Sequence, residues 1–357
     1  MLYRICMLCL VSASLFGAEH IYLKTPGISR ENIIGTAVGI RPYRKSGVRI
    51  EAEMIQDKLI IHNYGYGGSG LTTSFGGSQE VLDLLDQQLI SSKKVAVLGA
   101  GVAGLVVAHD LLERGYEVHL YADKWNPDLT SNVAGGIWTP FDSSDALSDE
   151  KKDLQKRMAE ISEQRFLRCV TENPPEFPGV VVRNHYRVLP ESSDQTNNTA
   201  RIGEEVILHL DNGLTRKGLK NQRLGIDGKI FMNALFAKVK NKGAILHQQH
   251  FEVLDDVLNV TEPVIINCMS MGSRKIFDDQ EFLPVRGCLV YFKKDQEIDY
   301  LLHQGIPNSD YYVTIHSWDD RLIVGGVHQE GIEELIAPPE VIETLIENAE
   351  KCLSGRL

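Results

Sequence analysis

Residues 94–123 read KVAVLGAGVAGLVVAHDLLERGYEVHLYAD, and this stretch decides the fold. The apolar run at residues 95–98 predicts a buried parallel strand that leads into a glycine-rich turn. Apolar residues then recur at helical spacing, and Gly115 stands where a helix C-terminal cap is expected. A second apolar strand at residues 118–122 ends at Asp123. The pattern predicts a βαβ dinucleotide-binding unit.

The turn carries a G-x-G-x-x-G fingerprint made of Gly99, Ala100, Gly101, Val102, Ala103 and Gly104. The first glycine makes the tight turn, the second lets the backbone approach a pyrophosphate, and the third allows close helix–strand packing. Asp123 is placed for a ribose hydroxyl. The alternative is a glycine-rich packing turn, and these residues alone leave NAD and FAD open.

Charge and composition exclude several classes of protein. The formal charge of −11 is spread over 357 residues without a basic face, which argues against a nucleic-acid partner. The six cysteines show no metal-ligand spacing, so neither a structural metal site nor a dense disulfide framework is expected. The length predicts two lobes or two domains.

Residues 1–18 have a basic start and a short apolar stretch, which is typical of a secretory signal peptide. A cleaved leader predicts a periplasmic or secreted protein. A segment that is retained, as a buried strand or a surface anchor, predicts a cytoplasmic protein. No stable membrane span is expected elsewhere.

The remaining pattern predicts further elements. A helix is expected at residues 230–240, strands at 244–247 and 264–268, a hairpin from strands at 311–315 and 321–326, and a helix at 339–353. Residues 143–225 mix charged helical stretches with proline-rich punctuation and a polar loop at 192–199, and they predict a separate lobe.

A second glycine-rich segment, residues 62–72, precedes a predicted helix at residues 77–89. Consecutive glycines before a helix let backbone amides converge on an electron-rich group. The alternative is a flexible surface loop.

The motifs at residues 121–124, 133–140 and 62–72 strongly resemble the D-amino-acid oxidase family. In that family the glycine segment and an arginine motif, here residues 39–44, lie near the C-terminus, whereas in this chain both precede the fingerprint. The resemblance therefore implies a circular permutation covering residues 22–357, with the family's termini joined through residues 91–93. Termini that lie close together make such rewiring physically cheap.

The fold implied by the resemblance is α/β, with a Rossmann-like FAD-binding domain and an α+β substrate domain. The FAD-binding domain is expected at residues 44–142 and 226–279, and the substrate domain at residues 19–43, 143–225 and 280–357. The cofactor implied is FAD. Besides the fingerprint, its expected contacts are Asp123, Lys124, Thr130, Ser131, Gly136, Ile137, Trp138, Phe251, Cys268, Gly67, Gly68, Ser69, Gly70, Leu71 and Thr72.

The resemblance assigns catalytic positions to Arg41, Tyr311 and Gly68. Arginine suits the substrate carboxylate because its planar fork pairs bidentately with it; the alternative for Arg41 is a structural salt bridge. The reaction of the family needs little general acid–base catalysis by side chains, because the cofactor carries the reaction. The histidines His62, His185 and His316 are therefore expected to be structural or surface residues.

The activity implied is oxidative deamination of a D-amino acid or a related small amine. Hydride passes from Cα to flavin N5, oxygen is the expected acceptor, and the products are a keto acid, ammonia and hydrogen peroxide. Pro307 replaces one of two active-site tyrosines of the family, and the lid segment before it, around residues 301–304, is shorter than in the family. The sequence therefore does not identify the substrate. The alternatives are a flavin dehydrogenase with another acceptor, a non-catalytic flavin-binding protein, and a rearranged product that never folds. The sequence also leaves a homodimer open.

Overall fold

The computed structural model describes residues 18–88, 91–139, 147–190 and 203–357. The predicted leader, except for Ala18, lies outside the described residues, as do the polar loop at 192–199 and the last residue of the 133–140 motif. The localisation that depends on the leader therefore stays a prediction.

Runs of strands are separated by helices along the chain. The strands are β1 (Glu19–Leu23), β2 (Ile33–Arg44), β3 (Arg49–Ile55), β4 (Lys58–Tyr64), β5 (Lys94–Leu98), β6 (Glu117–Ala122), β7 (Val180–Val188), β8 (Glu204–Leu210), β9 (Thr215–Ile226), β10 (Ile245–Gln248), β11 (Val264–Asn267), β12 (Phe282–Phe292), β13 (Tyr300–Gly305), β14 (Tyr311–Ser317), β15 (Leu322–Val327) and β16 (Gln329–Glu330). The helices are α1 (Gly70–Asp86), α2 (Val102–Glu113), α3 (Asp149–Thr171), α4 (Gly228–Asn241), α5 (Leu254–Leu258), α6 (Ser273–Ile276) and α7 (Pro339–Leu353). Within the described ranges, no helix is both long enough and apolar enough to cross a bilayer.

The smaller sheet has the strand order β10-β6-β5-β11-β4-β3. Its first five strands are parallel and β3 is antiparallel. Strands β5, β11 and β4 consist almost entirely of buried residues, as expected for a sheet covered on both faces. The predicted βαβ unit is confirmed as β5, α2 and β6, and Gly115 follows α2 with a φ of 75°.

The larger sheet has ten strands in the described ranges, in the order β1-β8-β9-β7-β13-β14-β15-β12-β16, with β2 also paired to β12. The predicted hairpin is confirmed as β14 and β15. One face of this sheet packs on α7 through an apolar cluster that includes Val313, Ile315 and Leu345. The opposite face carries polar side chains. The strand placement is compatible with the predicted division into two domains, whose boundaries stay a prediction.

One expectation and one alternative are wrong. Helix α1 begins at Gly70, seven residues before the predicted start. Residues 62–72 are not a flexible surface loop, since most of them are buried. The glycines of α1 had obscured the helix: a Cβ on Gly76 would lie 2.1 Å from the carbonyl oxygen of Met158 in α3, so glycine serves close helix packing there.

A buried ion pair connects the two sheets. Arg44 at the end of β2 donates from Nε to Asp279 Oδ2 at 2.8 Å, and the hydroxyl of Tyr64 on β4 donates to the same oxygen at 2.9 Å. The side chain of Asp279 is only 2% exposed. Burial by itself would raise the pKa of Asp279, but the hydrogen bonds from Arg44 and Tyr64 outweigh it and the pKa is lowered.

We expect Asp279→Asn to lower the free energy of unfolding by about 3 kcal/mol, because it leaves the buried guanidinium of Arg44 without its countercharge. Urea unfolding at pH 7 measures this. The control is Asp86→Asn, since Asp86 pairs with Arg114 on the surface at 2.8 Å and should contribute less than about 1 kcal/mol.

The same pair predicts a pH dependence. The folded-state pKa of Asp279 is lowered, so its contribution is fully present above the unfolded pKa, about 3.9, and is lost as the pH falls through the folded value. The stability difference between the wild type and Asp279→Asn should therefore shrink below about pH 4. A constant difference down to pH 2.5 would contradict this origin.

Candidate active site

Two helix N-termini meet at the carboxyl edge of the smaller sheet. Helix α1 follows β4 and helix α2 follows β5, and a Cβ built on Gly70 would lie 3.6 Å from Cγ1 of Val102. Each N-terminus presents backbone N–H groups and the positive end of a helix dipole. The edge is therefore suited to bind an anionic group such as a pyrophosphate.

The fingerprint glycines are required by the backbone around them. Gly99 has a φ of 105°, and a Cβ there would lie 2.5 Å from the carbonyl oxygen of Cys268. A Cβ on Gly104 would lie 1.9 Å from the carbonyl oxygen of Gly99. The hydroxyl of Ser131 accepts a hydrogen bond from the amide of Val102 at 3.1 Å, which brings the 130–132 turn to the start of α2.

The predicted contacts for the adenosine end lie beyond this turn. Asp123 and Lys124 are exposed immediately after β6, and Asp123 Oδ2 lies 3.4 Å from Nδ1 of His250. Phe251 is buried against the ring of Tyr121, with centroids 6.0 Å apart. An open acid beside a buried apolar ring is compatible with a ribose and an adenine.

The segment at residues 136–138 extends the larger sheet. The amide of Trp138 donates to the carbonyl of Leu224 at 2.9 Å, and Ile137 forms a bridge with Gly225. Gly136 has a φ of 74° and lies against the carbonyl of Ile226, where a Cβ would be only 1.9 Å away. Backbone pairing thus fixes this segment between the two sheets.

The second glycine segment lies directly on the arginine motif of β2. A Cβ on Gly65, Gly67 or Gly68 would lie 2.9 Å from the side chain of Arg44, Tyr43 or Arg41, respectively, and all three glycines have positive φ. The amide of Gly67 donates to the carbonyl of Pro42 at 3.1 Å. The two motifs that precede the fingerprint therefore form one unit in space.

Arg41 has no salt-bridge partner among the described residues. Its guanidinium donates to the carbonyl of Val327 at 3.1 Å and to the hydroxyl of Tyr312 at 3.2 Å, and it covers the backbone of Gly287. The alternative of a structural salt bridge is therefore not supported. A half-buried arginine with only neutral partners is free to bind a carboxylate.

Tyr312, which the sequence reasoning missed, contacts Arg41, whereas the predicted Tyr311 does not. Alternate residues of a strand face opposite sides of its sheet. Tyr311 packs on the apolar cluster with Val313 and Ile315, so Tyr312 faces the polar side with Thr314 and His316. The period of two in β14 was the signal that could have identified Tyr312, and the geometry disfavours an active-site role for Tyr311.

Three histidines lie on the polar face of the larger sheet, and none of them is a surface residue. Burial lowers the pKa of His185 and His316 to about 4 and that of His303 to about 3. His316 Nε2 donates to the carbonyl of Gly135 at 2.9 Å. All three are therefore neutral near pH 7. The third histidine named from the sequence, His62, is fully buried between Glu53 and Asn267 and has a structural role.

Comparison with known proteins identifies the family to which this chain belongs. The model of the DAO family, described as FAD dependent oxidoreductase, matches residues 94–357. The chain belongs to this family. Its relatives include a D-amino acid oxidase from Dugesia ryukyuensis, 24% identical over 73% of this chain and 78% of that protein. A D-amino-acid oxidase from Dictyostelium discoideum is 46% identical over 66% of this chain, which spans 65% of that relative's length.

Solved structures show the same fold at low identity. Glycine oxidase from Geobacillus kaustophilus has a TM-score of 0.53 at 15% identity, covering 72% of this chain and 77% of its own. L-alpha-glycerophosphate oxidase from Mycoplasma pneumoniae, with FAD bound, has a TM-score of 0.55 at 13% identity, covering 75% and 80%. The cofactor of the family is FAD, and the paired helix N-termini and glycine turns fit its pyrophosphate. The individual site residues stay predictions.

We expect Gly68→Ala to weaken the binding of small carboxylates to the flavin-loaded protein about 10- to 100-fold, because its Cβ displaces Arg41. A titration followed by flavin absorbance measures this. The control is Gly243→Ala, whose φ of 96° imposes similar backbone strain of about 1–2 kcal/mol with no atom within 4 Å. Equal carboxylate affinity in the two variants would rule out the contact as the cause.

Proposed function

We propose that the protein catalyses the FAD-dependent oxidative deamination of a D-amino acid or a similar small amine. The observation that carries this proposal is Arg41, whose guanidinium has only neutral partners in the part of the chain that the structure describes and lies against Gly68 of the second glycine segment. The curated relatives are named D-amino acid oxidases, which supports the same substrate class.

In this proposal the cofactor is held along the seam between the two sheets. The fingerprint at residues 99–104 and the hydroxyl of Ser131 bind near the pyrophosphate, and residues 136–138 line the flavin. The loop at residues 67–72 directs backbone amides toward the ring edge, where they stabilise negative charge. When bound, FAD supplies the hydride-accepting chemistry.

The chain itself binds and orients the substrate. The planar fork of Arg41 pairs with the substrate carboxylate, and the Tyr312 hydroxyl, which lies 3.2 Å from Arg41 Nη2, supplies a further hydrogen bond to it. Fixing the carboxylate fixes the direction of the Cα–H bond, and proximity supplies much of the rate. The buried histidines remain neutral and are not needed to move a proton.

The proposed electron acceptor is oxygen, with a keto acid, ammonia and hydrogen peroxide as products. The alternative acceptor is a quinone or a carrier protein. A single experiment separates them: the flavin absorbance between 300 and 550 nm is followed anaerobically with D-amino acids, their L-enantiomers and glycine, and air is then admitted. Bleaching by a D-substrate supports the deaminase, and recolouring with peroxide supports the oxidase. Bound flavin that no amine reduces would contradict the proposal.

We expect Arg41→Lys to lower kcat/KM about 100-fold, because a bidentate charged pair is lost. Tyr312→Phe should lower it about tenfold through loss of one hydrogen bond to a charged group. Stopped-flow flavin reduction with the best substrate measures both. Tyr311→Phe is the matched control, since Tyr311 packs on the apolar face. A larger effect in Tyr311→Phe than in Tyr312→Phe would reverse the assignment.

We also propose that the chain is a circularly permuted member of its family. The family model begins at residue 94, yet β2, β3 and β4 before it are integral to the two sheets. Thr25 and Leu353 both hydrogen-bond to Asn212, at 3.3 and 2.8 Å, so the two regions that a family-order chain would connect lie together.

A rejoined chain tests the permutation. Residues 94–357 are followed by a glycine–serine linker and residues 19–93, so that the chain ends at Lys93. We expect this variant to bind FAD and to unfold within a few degrees of the original, since both orders make the same contacts. Differential scanning calorimetry and flavin fluorescence measure this. A rejoined chain that stays unfolded would contradict the permutation.

A further inference from the structure

A buried histidine and a buried asparagine connect the second glycine segment to the turn after β11. His62 on β4 is paired with Asn267 on β11 in the strand register, and both residues are fully buried. His62 Nδ1 lies 3.0 Å from Nδ2 of Asn267, and His62 Nε2 lies 2.7 Å from Oε1 of Glu53 on β3. These three side chains form a continuous hydrogen-bonded series, the Glu53–His62–Asn267 relay.

The backbone fixes which proton each member of the relay carries. The amide of Met269 donates to Oδ1 of Asn267 at 3.1 Å, and the hydroxyl of Ser273 donates to the same oxygen at 3.0 Å. A backbone N–H can only donate, so Oδ1 must face Met269 and the NH2 group of Asn267 must face His62. His62 Nδ1 is therefore the acceptor, and Nε2 carries the proton that Glu53 accepts.

The turn that the relay holds supports the dinucleotide fingerprint. The amide of Cys268 donates to the carbonyl of Leu98 at 2.8 Å, at the end of the strand that leads into the fingerprint. A Cβ on Gly99 would lie 2.5 Å from the carbonyl oxygen of Cys268 and 3.3 Å from Cα of Met269. The position of this turn therefore sets the position of the first fingerprint glycine.

The next residue of the second glycine segment holds the same turn from the opposite face of the sheet. Asn63 is fully buried, donates from Nδ2 to Sγ of Cys268 at 3.5 Å and accepts from the hydroxyl of Tyr66. Alternate residues of a strand face opposite sides, so His62 and Asn63 contact the turn from both faces. The two glycine motifs of the candidate site are thus connected through residues 267–269.

A proton added to His62 is incompatible with this arrangement. It places a second N–H on Nδ1, where it faces the NH2 group of Asn267. Rotation of the Asn267 amide relieves this conflict but turns the NH2 group toward the backbone N–H of Met269, which then loses its acceptor. The protonated state therefore destabilises the turn.

The acid at one end of the relay gives protons access to the buried imidazole. The side chain of Glu53 is 39% exposed and contacts His62 Nε2. Burial lowers the pKa of His62, the hydrogen bond to Glu53 opposes this, and Arg49 on β3 lowers the pKa further. Other groups that face the imidazole are Glu51 of β3, the rings of Tyr64 and Phe277 and, beyond Tyr64, Asp279.

The sign of the pH dependence follows from this direction. The pKa of His62 is lowered from its ordinary value of about 6.5, so the neutral form prevails above that pH. The contribution of the neutral relay is lost as the pH falls from about 6.5 through the lowered value.

We propose that the Glu53–His62–Asn267 relay makes FAD binding depend on pH, because a proton on His62 loosens the turn that supports the fingerprint. Proton and FAD then compete for the protein. FAD binding favours the neutral imidazole and releases a proton to solvent, and acidification releases FAD. The inference rests on FAD binding at the fingerprint and is independent of which amine is oxidised.

Release of FAD from the loaded protein tests the relay. The loaded protein is diluted at pH values between 8.0 and 5.0, over the range in which circular dichroism shows it to be folded, and the fluorescence of released flavin gives the dissociation constant. We expect this constant to rise about tenfold or more as the pH falls. A dissociation constant that stays the same across the range would overturn the proposal.

The variant His62→Gln identifies the cause. The glutamine amide supplies one acceptor and one donor, as the neutral imidazole does, and it takes up no proton in this range. We expect it to bind FAD at pH 8.0 and to lose the pH dependence. The matched control is His250→Gln, since His250 lies 3.4 Å from Asp123 at the predicted adenosine end. A pH dependence that persists in His62→Gln, or disappears in His250→Gln, would overturn the assignment.

The variant Glu53→Gln is an independent test at the half-exposed end of the relay. It keeps an oxygen that accepts the Nε2 proton but removes the countercharge of a protonated imidazole. We expect FAD release to shift to lower pH than in the wild type, and an unchanged or higher midpoint would overturn the proposal.

Proton release provides a readout that a purely structural role would not change. Calorimetric titration of FAD near pH 6, in two buffers of different ionisation enthalpy, counts the protons released on binding. We expect release by the wild type and by His250→Gln, and none by His62→Gln. Equal proton release by the wild type and His62→Gln would overturn the proposal.

Discussion

The contact between the second glycine segment and the arginine motif holds the candidate site together. Gly65, Gly67 and Gly68 follow a strand of the smaller sheet, and the arginine motif belongs to a strand of the larger sheet. Only glycine allows the two segments to lie this close, because a Cβ atom at any of these three positions would lie 2.9 Å from an arginine or tyrosine side chain. The two sheets meet at this contact, and the seam between them is the predicted position of the flavin.

The two arginines of this motif have different roles because their surroundings differ. Arg44 is paired with the buried Asp279 and the hydroxyl of Tyr64, which fixes the strand. Arg41, three residues away, hydrogen-bonds within the described ranges only to a carbonyl and a tyrosine hydroxyl. A buried arginine that is paired with a carboxylate fixes the position of its strand, whereas an arginine with neutral partners can still bind an anionic ligand. One strand thus combines an anchor with a recognition group.

Near the candidate site, the charged groups that the structure describes on the polar face of the larger sheet include several arginines. Burial keeps His185, His303 and His316 neutral, so these residues shape and hydrogen-bond the surface without charging it. Arginine retains its proton in the same environment. The positive groups of this face include Arg41, Arg183, Arg187 and Arg223, and the neutral histidines lie among them.

The sequence by itself determined the βαβ unit with its dinucleotide fingerprint, the β14–β15 hairpin and α7, because these depend on local periodicity and on glycines that the backbone requires. The choice of FAD came from the family resemblance. The sequence did not determine where α1 begins, since Gly76 serves packing against α3 and Gly77 serves packing against Tyr66. Nor did it place Tyr312 on Arg41 or Arg183 opposite Arg223. Those contacts depend on strand pairing between distant parts of the chain, and only the tertiary structure fixes which face of each strand meets which neighbour.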